Sequence, residues 1–367
     1  MLRSLVLTQF KNIKDVQIDF SPDINCIVGE NGSGKTNLLD AIHYLCLTKG
    51  LMGLPDQLSV NFESDFFRLV GKWNTDNENT MIECAWSVAN KKLFKVNGSP
   101  YEKLSEHVGK IPVVVIAPDD TDLVREGSEV RRKFFDGIIC QLNPKYLADL
   151  ITYNYLLKQR NSLLKKSAET RNIDHSLFDT YNVQLNLLGT AIYNVRTEFI
   201  GQFIPHFESQ YAYISSNHEY PKFTYLSDFQ SDNYLTLFKN AFEKDLILQR
   251  TTMGIHTDDY DFFIDERSVK KTASQGQKKS FVIALKLAQF KLIEQQKEAK
   301  PLLLLDDIFD KLDDLRIEKL IEMTVNGTFG QVFFTDARPE RSKEIFGKYG
   351  SKVKTVLLQD GQLHSEI

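Results

Sequence analysis

A chain of 367 residues with 42% apolar content can bury a substantial core and divides into two or three structural units, which excludes a disordered protein. No run approaches the roughly 18 apolar residues of a membrane span and Met1-Leu2-Arg3-Ser4 opens no signal peptide, so a cytoplasmic protein without membrane association is expected. A net charge of −4 leaves any nucleic-acid contact to local basic patches, and the scattered Cys26, Cys46, Cys84 and Cys140, with no C-x-x-C pair, read as idle thiols rather than a metal site.

Ser4 to Thr8 and Val16 to Phe20 alternate like the strands of a hairpin. Cys26-Ile27-Val28 then reads as a short buried strand, and Asn37 to Ile42 as the start of a helix. Between them lies Gly29-Glu30-Asn31-Gly32-Ser33-Gly34-Lys35-Thr36, which fits the phosphate-binding loop G-x-x-x-x-G-K-[ST] in the strand–loop–helix setting that the motif needs. Its fixed positions meet by chance in a chain of this size on the order of 1% of the time. The glycines let backbone N–H groups converge on phosphate oxygens at a helix N-terminus. Lys35 is placed to reach the β- and γ-phosphates, the Thr36 hydroxyl to ligate Mg²⁺, and the stretch Gly29 to Asn37 to hold ATP.

Strands resume at Phe66 to Trp73, Met81 to Val88 and Lys92 to Val96, with Asn97-Gly98 a tight turn, and Val113 to Ile116 is a buried strand. Arg131-Arg132-Lys133 reads either as a solvated helix face or as a phosphate contact. With Lys91, Lys92 and Lys95, Arg131 and Arg132 are the candidates for a local basic patch. From Leu147 the pattern turns helical. Leu147, Leu150, Leu157 and Leu164 fall at heptad positions, with Asn154 and Asn161 in the gaps. Tyr181, Leu185, Leu188, Ile192, Val195 and Phe199 make a second seam, and the polar Lys165–Asp174 stretch is the tip of a short hairpin. Two further helix-like pieces are expected, ending near Leu248.

Phe262 to Ile264 is strand-like, and Ser274-Gln275-Gly276-Gln277-Lys278 opens a helix running from Phe281 to Glu294. Pro301 to Asp307 is an apolar strand that delivers two carboxylates to its end, a Walker B pattern. Asp306 is the expected Mg²⁺ ligand, and Asp307 the carboxylate that orients an attacking water, catalytic together with Lys35. Val332 to Asp336 and Val353 to Leu358 are further strands, and Asp360-Gly361 is a turn. The changes of pattern divide the chain into 1–140, 141–248 and 249–367.

The Walker B strand lies far from the phosphate loop, with a serine–glycine–glutamine helix start just before it. That order resembles the ABC-type ATPases, in which the signature helix of one subunit covers the γ-phosphate held by the other. Ser274, Gly276 and Gln277 stand at the signature positions. Tyr153 to Lys165, the N-terminal Leu-x-x-Phe-Lys-Asn, Pro118 to Asp136, Gly254-Ile255-His256 with Asp258-Asp259, Ala273 to Lys278 and Leu304 to Asp313 resemble the RecF family of recombination mediator ATPases. That resemblance implies an α/β fold: an ABC-type P-loop ATPase head (lobe I) with an inserted, mainly helical lobe II carrying a short helical hairpin. It also implies an ATP-driven homodimer, binding of double-stranded DNA near gaps or junctions, release on hydrolysis, and RecR and RecO as partners in loading recombinase. Departures from the family pattern are Glu129 after Gly127-Ser128, Thr257 where the family has an arginine, a D-loop reading Asp310-Lys311-Leu312-Asp313, and Thr335-Asp336 in place of a switch histidine. The Q-loop position is open, with Gln57 a candidate. Two rivals share the loop: another SMC-like or OLD-type ATPase, and a small-molecule kinase, which would leave Ser274 to Lys278 without a role.

Overall fold

The computed structural model describes residues 1–75, 78–215, 219–230, 234–310, 314–346 and 352–366. They gather into two compact units, Met1–Asp120 with Gln289–Ile367, and Thr121–Ala288. These divisions differ from those drawn at 140 and 248, for a physical reason at each. Helix α3 (Ser128–Leu142) is tied by Arg131 and Phe135 to Asp259 and Tyr260 of the second unit, and the later division falls inside the single helix α8 (Gln275–Lys297).

The first unit holds two sheets. One is antiparallel, with order β2-β1-β4-β5-β6-β7. Its strands are β1 (Leu2–Phe10), β2 (Ile13–Asp19), β4 (Phe66–Thr75), β5 (Glu78–Ser87), β6 (Lys91–Val96) and β7 (Ser99–Pro100). The other has order β15-β14-β3-β13-β12-β8. It comprises β3 (Ile24–Val28), β8 (Val113–Ile116), β12 (Leu302–Leu305), β13 (Val332–Asp336), β14 (Val353–Gln359) and β15 (Gln362–Glu366). From β14 to β8 every pairing is parallel, and only the edge strand β15 runs antiparallel. Strands β3, β12 and β13 are buried at every position, as apolar strands covered on both faces must be. One face packs through Ile27, Leu304 and Phe333 against Leu38 and Ile42 of helix α1 (Lys35–Leu47) and the inner face of the antiparallel sheet. On the other face Phe334 stacks near Phe309 and Phe346. Because β3, β13 and β12 are parallel neighbours, their C-terminal ends share one edge, and the crevice there is the place where such sheets bind ligands.

The second unit is helical around a small sheet of order β11-β10-β9, formed by β9 (Pro221–Leu226), β10 (Asp259–Ile264) and β11 (Arg267–Ser268). Its helices are α2 (Asp122–Arg125), α3, α4 (Pro144–Thr170), α5 (His175–Ser215), α6 (Tyr234–Leu248), α7 (Val269–Thr272) and the first part of α8. Strand β9, between α5 and α6, adds to the helical pattern expected here; its Phe223 and Tyr225 alternate inward, a period-2 signal hidden beside the 41-residue α5, which runs on through Pro205. The hairpin seam is displaced. On α5 the buried line is Phe178, Asn182, Leu185, Gly189, Ile192, Arg196 and Phe199, while Tyr181, Leu188 and Val195 sit at its flank. On α4 it is Tyr146, Tyr153, Leu156, Arg160, Leu164 and Ser167.

Partnered polar groups and one glycine occupy that seam. Arg160 donates to Asn182 (2.9 Å), Asp245 (2.8 Å) and Thr251 (2.7 Å). Arg196 bridges Asp136 and Asp258, and a Cβ on Gly189 would collide with the Phe229 ring. A buried ion needs such partners, and a reading of apolar periodicity cannot see them. Among the described residues the remaining helices of the first unit are α9 (Asp314–Val325) and α10 (Pro339–Phe346). Among the described residues no helix is long and apolar enough to cross a membrane.

Candidate nucleotide-binding site

The loop Gly29–Gly34 leaves the end of β3 and enters α1 at Lys35. Three of its glycines take positive φ: Gly29 at 156°, Gly32 at 84° and Gly34 at 105°. At Gly29 any Cβ would also collide with the Leu358 carbonyl, so glycine is required twice over. Gly34 is the N-cap of α1 and offers no side chain, and no acidic residue stands in the first turn. The helix therefore keeps the positive end of its dipole and its first N–H groups for an anion. Lys35 is 8% exposed and donates from Nζ to Gly29 O (2.7 Å) and Glu30 O (2.8 Å). Burial pulls its ammonium below the usual amine range, opposed by the carboxylates of Asp307, Asp306 and Asp336.

The Walker B carboxylates stand at the end of β12, the neighbour of β13 on the same edge. The Thr36 hydroxyl donates to both Asp306 oxygens at 3.0 Å, which joins the two expected Mg²⁺ ligands directly. Burial raises the Asp306 carboxyl, and the hydrogen bonds from Thr335 and then Thr36 hold it back. Asp307 is in the left-handed region at φ 45°, an unusual conformation for a residue with a side chain. Its N–H donates to Thr335 Oγ1 (2.8 Å), and that hydroxyl donates on to Asp306 Oδ1 (2.7 Å). Thr335 thus ties the Asp306 carboxylate to the Asp307 backbone from the end of β13. In the sequence it is marked only by standing where a switch histidine is absent. Asp336 is also inward: its carboxylate is held by Arg341 and Ser342, and its carbonyl accepts from Gly29 N (3.3 Å).

Two polar atoms at this edge, Ser33 Oγ and Asp307 Oδ1, are buried with no hydrogen-bond partner among the described residues. Native interiors rarely leave such atoms uncompensated, so they fit a polar guest. The donor set suits MgATP: a loop of N–H groups and an ammonium for phosphate, and a hydroxyl paired with a carboxylate for a hard cation.

The other expected residues lie elsewhere. Ser274 and Gln277 form a reciprocal capping box at the start of α8, Ser274 N to Gln277 Oε1 at 2.7 Å and Gln277 N to Ser274 Oγ at 3.2 Å. The Gln277 N–H is therefore already satisfied. Ser274 is exposed, and Gln277 is anchored through Nε2 to Glu219 at 2.8 Å. Arg131 is not a solvated residue. It is 6% exposed, forked onto Asp259 at 2.8 and 2.9 Å and lying over Phe262. Arg132 donates to the Asp258 carbonyl, and Lys92 is engaged by Asp56, Thr48 O and the Tyr44 ring, which leaves Lys91 as the exposed member of that patch. Gln57 sits exposed on a short turn, Asp56–Ser59. Of the D-loop, Lys311, Leu312 and Asp313 lie outside the described residues. All four cysteines are buried and free, with burial pushing the Cys26 thiol up to about 12.

With this geometry in place, comparison with known proteins settles the relationship. A family model described as an AAA domain matches residues 4–326. The DNA replication and repair protein RecF of Cytophaga hutchinsonii is 41% identical over 362 residues, spanning 99% of this chain and 96% of that protein. The chain belongs to the RecF family. A second RecF, from Flavobacterium johnsoniae, is 43% identical over 344 residues, spanning 94% of this chain and 96% of that protein. The solved structure of the recombination mediator RecF with ATP, from the RecFOR pathway, matches at TM-score 0.89 and 27% identity, with 100% of this chain and 97% of that one covered. The Smc head domain of Pyrococcus furiosus, at TM-score 0.57 and 17% identity, shares the fold alone. This RecF-family chain therefore has the fold of an ABC-type ATPase head, as its motifs imply.

Proposed function

We propose that this chain is an Mg²⁺-dependent ATPase of DNA replication and repair whose ATP-bound form is a dimer on duplex DNA. The observation that carries the reading is the cluster of Thr36, Asp306, Thr335 and Asp307 beside Lys35, on the edge where three parallel strands end. In this reading Lys35 and the loop N–H groups orient the β- and γ-phosphates, and Thr36 and Asp306 hold Mg²⁺, which neutralises charge on the transferred group. Asp307 positions the attacking water. Ser274, with the first turn of α8, covers the γ-phosphate of a second copy. The names of the relatives support a place in DNA repair, and a solved relative carries ATP. By the same analogy the dimer acts on double-stranded DNA near single-strand gaps or junctions, releases it on hydrolysis, and works with RecR and RecO to load recombinase.

The test is light scattering of the wild-type chain with MgATP, with and without gapped duplex. Dimers should form with ATP, persist in Asp307→Asn, and be lost in Ser274→Arg, which should still bind ATP as a monomer. Wild-type turnover by monomeric Ser274→Arg would show that no second copy completes the site.

A further inference from the structure

The phosphate loop is held from behind by residues outside its motif. A trans peptide is planar with its C=O and N–H on opposite sides, so a carbonyl fixed outward aims the following N–H inward. Two loop carbonyls are fixed in this way. At the β1–β2 turn, Asn12 donates from Nδ2 to Gly32 O at 2.9 Å while its Oδ1 accepts from Asn37 Nδ2 at 2.8 Å. At the β14–β15 turn, Gly361 donates its N–H to Ser33 O at 3.0 Å. The loop closes on the inner side, where Ser33 N donates to Glu30 O at 3.1 Å.

The two turns also pack on one another. A Cβ on Gly361 would collide with Asn12 O, and Gly361 takes φ 73°, so this turn needs glycine both for space and for conformation. Gly34 leaves Asn12 its room as well, since a Cβ there would stand 3.0 Å from Asn12 Oδ1. Three segments remote in sequence thus form one contiguous brace: the first hairpin turn, the phosphate loop and the C-terminal hairpin turn.

Resting on the nucleotide-site reading above, we propose that Asn12 and the Gly361 turn are positioning elements of that site. They hold the Gly32 and Ser33 carbonyls outward, so that the Ser33 N–H closes the loop onto Glu30 O and the Gly34 N–H faces the loop interior. The C-terminal hairpin is then part of the nucleotide site rather than a sheet edge alone.

The test titrates MgATP with a fluorescent analogue against wild type, Asn12→Ala, Asn12→Asp and Gly361→Ala, with Lys35→Ala as the binding-deficient control. Urea unfolding without nucleotide is followed in parallel. Asn12→Ala should weaken MgATP binding about tenfold, the order of one lost hydrogen bond, and raise KM while saturated turnover stays within about threefold. Asn12→Asp keeps the acceptor for Asn37 but not the donor for Gly32, so it should bind as poorly as the alanine variant. If Gly361→Ala fails to fold, the two Asn12 variants carry the test alone. Wild-type affinity in both of them overturns the proposal. So does a fall in nucleotide-free stability with unchanged MgATP affinity, because that assigns Asn12 to the fold only. A folded wild type that does not bind MgATP sinks the nucleotide-site reading itself, an outcome distinct from failure of the brace.

Discussion

Thr335→Val removes one hydroxyl and nearly nothing else, and its consequences follow from the two hydrogen bonds of that group. Asp306 loses a donor at 2.7 Å but keeps the Thr36 hydroxyl, so its loss is that of one hydrogen bond to a charged acceptor, about 1.5–3 kcal/mol. The Asp307 N–H loses its acceptor at 2.8 Å, which costs about 1–3 kcal/mol for a donor left unmade away from water. The added methyl returns about 1 kcal/mol of apolar burial, since Thr335 is fully buried. A net loss of about 2–4 kcal/mol in unfolding free energy is expected, read from urea midpoints. The functional effect is larger than the stability loss suggests. Asp307 takes φ 45° with its N–H anchored by this bond, and freeing that N–H is expected to misplace the carboxylate proposed to position water. A displacement of that kind costs about 10²-fold in the chemical step. Single-turnover hydrolysis should fall accordingly, while ATP affinity measured without Mg²⁺, set by the loop and Lys35, changes little. Thr335→Ser, which keeps the hydroxyl, should recover most of the turnover. Wild-type single-turnover rates in a folded Thr335→Val would refute the link between the two strand ends.

Two further outcomes follow from the buried groups. Arg131→Met should lower stability by about 2–4 kcal/mol in urea unfolding, because Asp259 loses its bidentate partner; a variant of wild-type stability but weakened DNA binding would restore Arg131 to the DNA patch. His107 is buried, with Nε2 against Leu45 O at 2.7 Å, and burial lowers it from its ordinary 6.5 to about 4. Its folded form resists protonation, so the stability it contributes is complete above pH 6.5 and is lost as pH falls toward 4, about 2–3 kcal/mol by pH 4.5. Urea midpoints at pH 7 and 4.5 should therefore converge in His107→Gln, and an unchanged pH dependence there would place the acid sensitivity elsewhere.

The phosphate loop and the Walker B strand were legible because local physics alone fixes them. A buried parallel strand has to be apolar at every position, and a turn that exposes N–H groups has to contain glycine. Cys26-Ile27-Val28 before Gly29, and Leu302 to Leu305 before Asp306, meet those demands within a few residues. Asn97-Gly98 and Asp360-Gly361 were legible for the same reason, and each takes two successive positive φ values. What could not be read was whatever depends on a partner far along the chain. Thr335 acquires its role only when β13 pairs beside β12, and Asn12 only when the first hairpin turn meets Gly32. Neither residue carries a motif of its own.

The displaced helical seam shows the same limit from the side of the core. Apolar periodicity assigns Tyr181, Leu188 and Val195 to the interior because it treats Asn182, Gly189 and Arg196 as breaks in a stripe. Yet Leu185, Ile192 and Phe199 serve either seam, so one rotational step decides which alternate set faces inward. The polar set wins because its partners are already in place. Asn182 receives Arg160, Arg196 reaches both Asp136 and Asp258, and the missing side chain of Gly189 admits the Phe229 ring. Turning the helix to bury Tyr181, Leu188 and Val195 would take Arg196 from Asp136 and Asp258 and Asn182 from Arg160, and an uncompensated buried ion costs several kcal/mol. The register of this hairpin is therefore chosen by ion pairing between remote segments. Asp258, which accepts from Arg196 and Tyr225 while its carbonyl accepts from Arg132, gives the Gly254–Asp259 stretch a packing role that its likeness to a family motif does not by itself reveal.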